Sequence, residues 1–436
     1  MDQPAISLSA YWRLVRENRN FRLLWSAQII SELGDWLYSI AIYSFLLEAT
    51  GSATAVALAV VLQELPQCLA APAAGVVNDR LSRKRVMISS DLVRAFVVLL
   101  MLVVIAKRWV ALVYLLLFLD TVIWTFFEPA RSSVIPNITR RGELLIANAL
   151  SSTTWSVTLA VGSALGGAVA VVFGRNTVFV VNALSFLISA AFLRGMRFQE
   201  PHLAASAPLR LRDLTDFTPV AEGARYVIRD RRLLATMLLK AGLGLMGTSW
   251  VILPVLGERH YPVAIGGMDD QRAAMLGMSL LLAARGVGAL LGPLIASFWA
   301  GHSAVRLRRG ILYGFLANTA GYLALGSAPS LWPAIAAVIL SHAGGSTIWV
   351  FSTTLLHQHT DDRFRGRVFS ADYAFLVIAM SAVSYSAGVV IDQGVSARAI
   401  ATLTGLAGII PITGWILALR LWRTPPPGSV PDRVDR

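Results

Sequence analysis

The chain has 436 residues, 56% of them hydrophobic and only 14% charged, with a mean hydropathy of +0.63; soluble domains run near half apolar and a quarter charged. These values exclude a single soluble globule, and the lone cysteine, Cys68, excludes an intrachain disulfide scaffold or a cysteine zinc site. The formal charge of +13 takes its meaning from where the 38 Lys and Arg residues fall.

Apolar runs of about 20 residues, each long enough to cross a hydrocarbon core, recur along the whole chain. In chain order they predict twelve spans near residues 21–46, 54–77, 86–106, 109–130, 146–172, 176–194, 233–256, 273–298, 309–327, 331–355, 368–391 and 398–420. The expected fold class is an all-α integral membrane protein. With the N-terminus inside, cytoplasmic segments with their adjoining span ends carry 29 basic residues and external loops with theirs carry 6, leaving Arg94, Lys240 and Arg285 in span interiors. The positive-inside rule therefore places both termini in the cytoplasm of a multi-pass protein of the cell inner membrane. The basic charge is first an orientation signal and second a lipid head-group contact; nucleic acid is not an expected partner. Residues 1–20 hold Arg13, Arg16 and Arg19 but no apolar core and no small-residue cleavage site, so no cleaved signal peptide is expected.

The longest polar stretch divides the chain into six spans plus six. It contains Pro201, Pro208 and Pro219 and a basic, partly amphipathic segment from Glu222 to Arg232. Forty residues are too few for an independent core, so this stretch reads as a linker with an interfacial helix. The expected organisation is a six-helix half over 1–194, a cytoplasmic linker over 195–232, a second six-helix half over 233–423 and a disordered tail over 424–436, where four prolines fall. A sparse internal repeat agrees with this division. Pro72 and Pro293 lie 221 residues apart at the ends of the second and eighth spans, and Ala147 and Ala371 lie 224 apart at the starts of the fifth and eleventh. Pseudo-symmetric halves around a midplane site are a transporter architecture.

At the turn after the second span the chain reads Gly75-Val-Val-Asn-Asp79-Arg80-Leu-Ser-Arg83-Lys84-Arg85. This resembles the G-x-x-x-D-R-x-x-R-[RK] signature of the major facilitator superfamily. An ordinary positive-inside turn accounts for the arginines but not for Gly and Asp at those spacings. The resemblance covers nearly the whole chain and narrows to the drug:proton antiporter branch with macrolide-efflux-like and enterobactin-exporter-like proteins. It is carried by Asn20 to Trp25, Ser31-Glu-Leu-Gly-Asp35, Thr50-Gly-Ser52, Asp91-Leu-Val-Arg94, Phe127-Glu-Pro-Ala-Arg131, Ala147 to Leu150, Glu222 to Tyr226 and Arg365-Gly-Arg-Val-Phe369. One departure is Gly162-Ser163-Ala-Leu-Gly166-Gly167, where antiporters of the superfamily often have Gly-Pro-x-x-Gly-Gly. The resemblance implies a gate network of Gly75, Asp79, Arg80, Arg83, Lys84, Asp91, Arg94 and Glu128. Within it Gly75 permits close helix packing, Asp79 caps or pairs across the cytoplasmic face, and Asp91 or Glu128 accepts from Arg94.

A charge at the bilayer centre costs about 2.5–3.5 kcal/mol on insertion scales, so each intramembrane charge needs a partner, a water path or a task. Gln28, Glu32 and Asp35 lie at i, i+4 and i+7 on one helical face, a polar stripe expected to face a central cavity. Neighbouring carboxylates in such a place favour proton exchange; the competing reading makes Asp35 a structural hydrogen-bonding residue. The proton-coupling candidates are Asp35, Glu32, Asp120 and Glu64. Carboxylates in the first half and the cations Lys240 and Arg285 in the second suggest pairing across the halves, although Lys240, near its span's end, is expected to snorkel to the cytoplasmic face. The substrate-cavity candidates are Gln28, Trp36, Trp124, Arg285 and His342. Trp155, Trp250 and Trp349 are further possible liners, with core packing as the default for most tryptophans, and His342 reads equally as a hydrogen-bonded packing residue. His357 and His359 point to different faces, so no metal is expected. No cofactor is expected either.

No Gly-Lys dipeptide, G-x-S-x-G or H-E-x-x-H motif occurs, which argues against an ATP-driven machine or an intramembrane enzyme. The expected function is proton-coupled export of an amphipathic small molecule such as a drug, a macrolide-like compound or a siderophore, by a chain working as a monomer with substrate, protons and bilayer as partners. A proton-independent facilitator or lipid flippase on the same fold is the alternative.

Overall fold

The computed structural model describes residues 8–140, 142–205, 217–301 and 303–422. Among them the regular structure is helical. The tail expected over 424–436, and the part of the linker around Pro208, lie outside the described residues.

A short amphipathic helix α1 (Leu8–Glu17) leads into α2 (Arg19–Thr50), whose start is capped by the Asn18 side chain accepting from the Phe21 amide at 3.0 Å. Gly51, at φ +66°, ends α2 in the left-handed conformation that glycine takes without strain, and Ser52 caps the next helix. There follow α3 (Ala53–Arg80), α4 (Arg83–Ala106), α5 (Val110–Ile138), α6 (Leu144–Phe173) and α7 (Arg175–Gly195). After a 3₁₀ turn at Pro201–Ala205 comes α8 (Thr218–Arg229), then α9 (Arg231–Gly244), which runs through a 3₁₀ turn at Leu245–Thr248 into α10 (Ser249–Arg259). The remainder is α11 (Asp270–Ala300), α12 (Ala304–Ser327), α13 (Leu331–His359), α14 (Asp362–Asp392), α15 (Ala397–Ala407) and α16 (Ile409–Ala418).

Ten of the predicted spans are helices long and apolar enough to cross a membrane, with α9–α10 and α15–α16 each forming one broken span. The first and ninth differ. Helices α2 and α12 are 32 and 24 residues long, but α2 carries Gln28, Glu32 and Asp35 in its interior and α12 begins with Arg306, Arg308 and Arg309. At about 1.5 Å per residue both still exceed a hydrocarbon core about 30 Å thick.

Helices α2–α7 pack on one another and α9–α16 do the same; α6 against α11 and α3 against α14 join the two groups. The α6–α11 seam is tight because Gly286 lies directly against the Ala160 backbone, where a Cβ would collide. The linker helix α8 lies along α14. Val227 is buried with Leu233, Leu356 and Val368, Tyr226 stacks on Phe364 at 4.5 Å, and Glu222 pairs with Arg367 at 2.9 Å. A helix thus stands where the basic linker segment lies, docked on the second helix group. Composition alone did not reveal α1: its Ala10 and Leu14 are buried against the first group while Trp12 stands 68% exposed.

Candidate functional site

The buried charges of the first half assemble around α4. The Arg94 guanidinium donates to Asp35 Oδ1 at 2.9 Å and to Asp120 Oδ1 and Oδ2 at 3.0 and 3.2 Å, and it lies 4.2 Å over the Phe186 ring. One cation from α4 thus ties carboxylates from α2 and α5 against an aromatic ring of α7. The Asp35 side chain keeps 27% exposure against 11% for Asp120, which makes Asp35 the more accessible member of the pair. This arrangement corrects the expected pairing of Arg94. Asp91, one turn away, is fully buried with neither oxygen bonded, and Glu128 instead pairs with Arg131 at 2.5 Å.

A second polar chain runs beside the first. Gln28 donates to Glu32 at 2.8 Å and accepts from Arg131 at 2.9 Å, and Thr158 of α6 donates to Glu32 at 2.8 Å. The expected stripe of Gln28, Glu32 and Asp35 is thus split. Gln28 and Glu32 turn toward α5 and α6, whereas Asp35 turns toward α4, so the carboxylate coupled to Asp35 is Asp120 rather than Glu32.

In the second half Lys240 is 1% exposed and pairs with Asp372 of α14, with Thr353 at 3.3 Å and the Trp349 ring at 4.4 Å. Snorkelling is therefore ruled out for Lys240, which pairs within its own half rather than across the halves. Sequence reasoning missed Asp372. Its signal was a carboxylate nearly a third of the way into an apolar span, in Ser370-Ala-Asp372-Tyr373.

Aromatic rings gather between the halves. Trp36 of α2 stacks on Trp250 of α10 with centroids 6.0 Å apart and planes at 5°, and Trp155 meets Trp36 edge-on at 5.7 Å. Arg285 of α11 lies 3.3 Å over the Trp250 ring. On α3, Gln63 accepts from Tyr43 at 2.6 Å and Gln67 accepts from Tyr373 of α14 at 2.5 Å, with Glu64 between them. His342 is buried; its Nδ1 lies 3.0 Å from both Ser341 Oγ and the Val338 carbonyl of its own helix, and its Nε2 has no partner among the described residues. Trp124 is half-buried and makes no ring contact among the described residues.

The two ends of the bundle differ. At the end opposite the basic loops, Asp392 of α14 accepts from Ser52 Oγ at 2.5 Å and from the Ala53 and Thr54 amides at 2.8 and 2.9 Å, sealing the N-terminus of α3. Arg259 donates to the Gly51 carbonyl at 2.8 Å, and Glu48 accepts from Arg108, Arg175 and Gln271. At the basic end the expected gate turn is held by its own half and the start of the linker. Arg83 donates to the Asn78 and Ser133 carbonyls, Lys84 to those of Arg194 and Met196, and Ser82 to Glu200. Asp79 is 79% exposed and lies 3.9 Å from Arg83, so in this state it neither caps a helix nor reaches the second half. Gly75 faces open space rather than a packed helix, and Arg80 closes α3.

The comparisons fit this architecture. Solved structures with the same fold include a bacterial homologue of the iron transporter ferroportin in an inward-facing state (TM-score 0.68, 14% identity, 92% of this chain and 98% of that one). The nucleoside transporter NupG is another (TM-score 0.65, 10% identity, 91% and 99%). Among curated relatives, the MFS-type transporter YfiS of Bacillus subtilis is 26% identical over 92% of this chain and 89% of its own. The putative bacilysin exporter BacE of Bacillus subtilis is 22% identical over 74% and 76%. Macrolide efflux protein A of Streptococcus pyogenes is 28% identical, over 41% of this chain and 44% of its own length. The family profile described as transmembrane secretion effector matches residues 11–423. With a single match running from α1 to the end of the helical bundle, the chain belongs to the transmembrane secretion effector family of major facilitator transporters.

Proposed function

We propose that this transporter is a proton-coupled exporter of an amphipathic small molecule, working by alternating access. The observation that carries the reading is the Asp35–Arg94–Asp120 cluster. Two carboxylates around one guanidinium leave one net negative charge in a buried place, which one proton would cancel. Asp35, the more exposed member, is the group we assign to take that proton, with Asp120 as its partner through Arg94. Glu32 tunes the neighbouring cavity wall, and Glu64 is left for the substrate. The aromatic gathering of Trp36, Trp155 and Trp250 suits an apolar body. Export rather than uptake is supported by relatives named for efflux and export.

The proposal extends to topology: twelve crossings, α2 and α12 included, in the cell inner membrane, with both termini and the 195–232 linker in the cytoplasm and the six-helix halves at 1–194 and 233–423. The conformation described then faces inward, sealed outside by Asp392, with the Asp79 turn parted on the cytoplasmic side. One chain suffices for the cycle, with substrate, protons and bilayer as its partners.

The experiment is uptake into inverted vesicles of a compound found by screening drugs and macrolide-like molecules. Accumulation that collapses with a protonophore is expected. Accumulation to the gradient-free level only, insensitive to the protonophore, would replace this reading with a facilitator. A reporter fused after Trp422 should signal from the cytoplasm, and a periplasmic signal would overturn the twelve-crossing topology.

A further inference from the structure

Most charges inside the helical bundle are accounted for on their own side: Asp35 and Asp120 by Arg94, Glu128 by Arg131, Asp372 by Lys240, and Glu32 by Gln28 and Thr158. Asp91 of α4 is shut off at 0% exposure and faces Ser189 of α7. Among the described residues of the bundle interior, two opposite charges remain, one from each half. Arg285 is nine-tenths buried and one nitrogen, Nη1, has no acceptor; its close contact is the Trp250 ring. Glu64 is half-buried and accepts no hydrogen bond among the described residues. Both lie beside α2: Tyr43 of α2 donates to Gln63, the residue before Glu64, and Arg285 rests on Trp250, which stacks on Trp36 of α2. Each charge acts on the other electrostatically, yet no ion pair joins them among the described residues.

An unpaired charge held in a low-dielectric place is costly unless something fills the gap. A monovalent ligand would compensate one wall and leave the other bare when the cavity closes. A ligand with an anionic and a cationic group would compensate both, and the unmet charge selects against the singly charged analogue.

We propose that Arg285 and Glu64 are the two poles of a subsite for amphoteric substrates: Arg285 takes a carboxylate-class anion, Glu64 an ammonium group, and the Trp36–Trp250 stack borders the flat apolar part. This inference rests on the export reading above and names its substrate class.

The test is binding to the purified full-length protein in detergent, without any gradient, read by intrinsic tryptophan fluorescence and by calorimetry. The probes are two scaffolds in three forms each: ciprofloxacin with its ethyl ester and its N-acetyl derivative, and phenylalanyl-phenylalanine with its amide and its N-acetyl derivative. For at least one scaffold the amphoteric form is expected to bind about tenfold tighter than either blocked form. Arg285→Gln should erase its advantage over the cationic form, Glu64→Gln its advantage over the anionic form, and Arg285→Lys should restore part of the first. Each variant is compared only after its melting temperature confirms a folded protein; should Arg285→Gln fail that check, the Glu64→Gln and Arg285→Lys arms carry the test. No amphoteric preference in either scaffold, or a preference that survives both Gln variants, would overturn the proposal. Asp35→Asn separates the two readings. It should keep the amphoteric preference in detergent while losing uphill export; preference kept with uphill export intact sinks only the coupling assignment, and a wild-type protein that exports uphill yet shows no amphoteric preference sinks only this inference.

Discussion

The two halves bury charge in different proportions. In the first, Arg94 serves Asp35 and Asp120 together, and Asp35 keeps a solvent-reachable edge; in the second, Lys240 serves Asp372 alone and both are at most 3% exposed. A balanced, enclosed pair has no use for a proton: neutralising one member leaves the other stranded. An unbalanced cluster with one accessible carboxylate gains from a proton, since its surplus charge is cancelled while Arg94 keeps a partner. The first half is therefore read as the coupling half and the second as the rigid one, although both use the same chemistry of ionic hydrogen bonds.

The comparison breaks first on truncation. Lys240→Ala should strand the enclosed Asp372 carboxylate and cost about 3–5 kcal/mol, the range for splitting a buried pair, seen as a sharp fall in melting temperature in detergent. The double change Lys240→Met with Asp372→Leu should recover most of that loss and leave proton coupling intact, because an apolar pair of similar volume replaces a charge-balanced one. If the double variant folds well but loses coupling, the second half is not the passive partner described.

A smaller effect is expected at the sealed end. Asp392→Ala removes three hydrogen bonds between the halves, each worth about 1.5–3 kcal/mol when an ion takes part, so the seal should open more often without unfolding the protein. A cysteine at position 57, where Ala57 is fully buried, placed in a Cys68→Ala background, reads this directly. It should react faster with a membrane-impermeant thiol reagent from the outer side when Asp392 is changed. The smallest effect should come from Asp79→Ala, which has one 3.9 Å contact to lose in this state. Melting temperature should hold within about 0.5 kcal/mol equivalent, while transport slows if Asp79 meets the second half in the opposite state. Unchanged transport would remove Asp79 from the gate.

The helices were legible because a span needs only length and apolar content, properties local to each stretch of chain. The broken spans at Leu245–Thr248 and around Gly408 did not disturb that reading, since hydrophobicity continues through both. Partner choice was less legible. Asp91 and Arg94 are a helical turn apart and look like a pair, yet the rotation of α4 sends Arg94 toward residues 59 and 26 positions away and leaves Asp91 against α7. Lys240 lies close enough to a span end to suggest an interfacial lysine, and only the packing of α14 against α9 brings Asp372 to it, 132 residues later in the chain. Helix α1 was overlooked because its basic residues hide a one-sided apolar pattern, Ala10 and Leu14. Glu64 and Arg285 stand out in the sequence as charges in the middle of spans and Trp36 as an aromatic beside a polar stripe, but the Trp36–Trp250 stack that joins the halves needed the structure.

The measurement closest to the central claim is proton movement on substrate addition, made in proteoliposomes with wild-type and Asp35→Asn protein side by side. Asn keeps the size and hydrogen-bonding capacity of the side chain but cannot exchange a proton. The account predicts that wild-type vesicles exchange protons for substrate and accumulate it against its gradient, and that Asp35→Asn still binds substrate but does neither. Uphill accumulation by Asp35→Asn with an unchanged proton-to-substrate ratio would contradict the account and move the coupling role to Asp120 or Glu64.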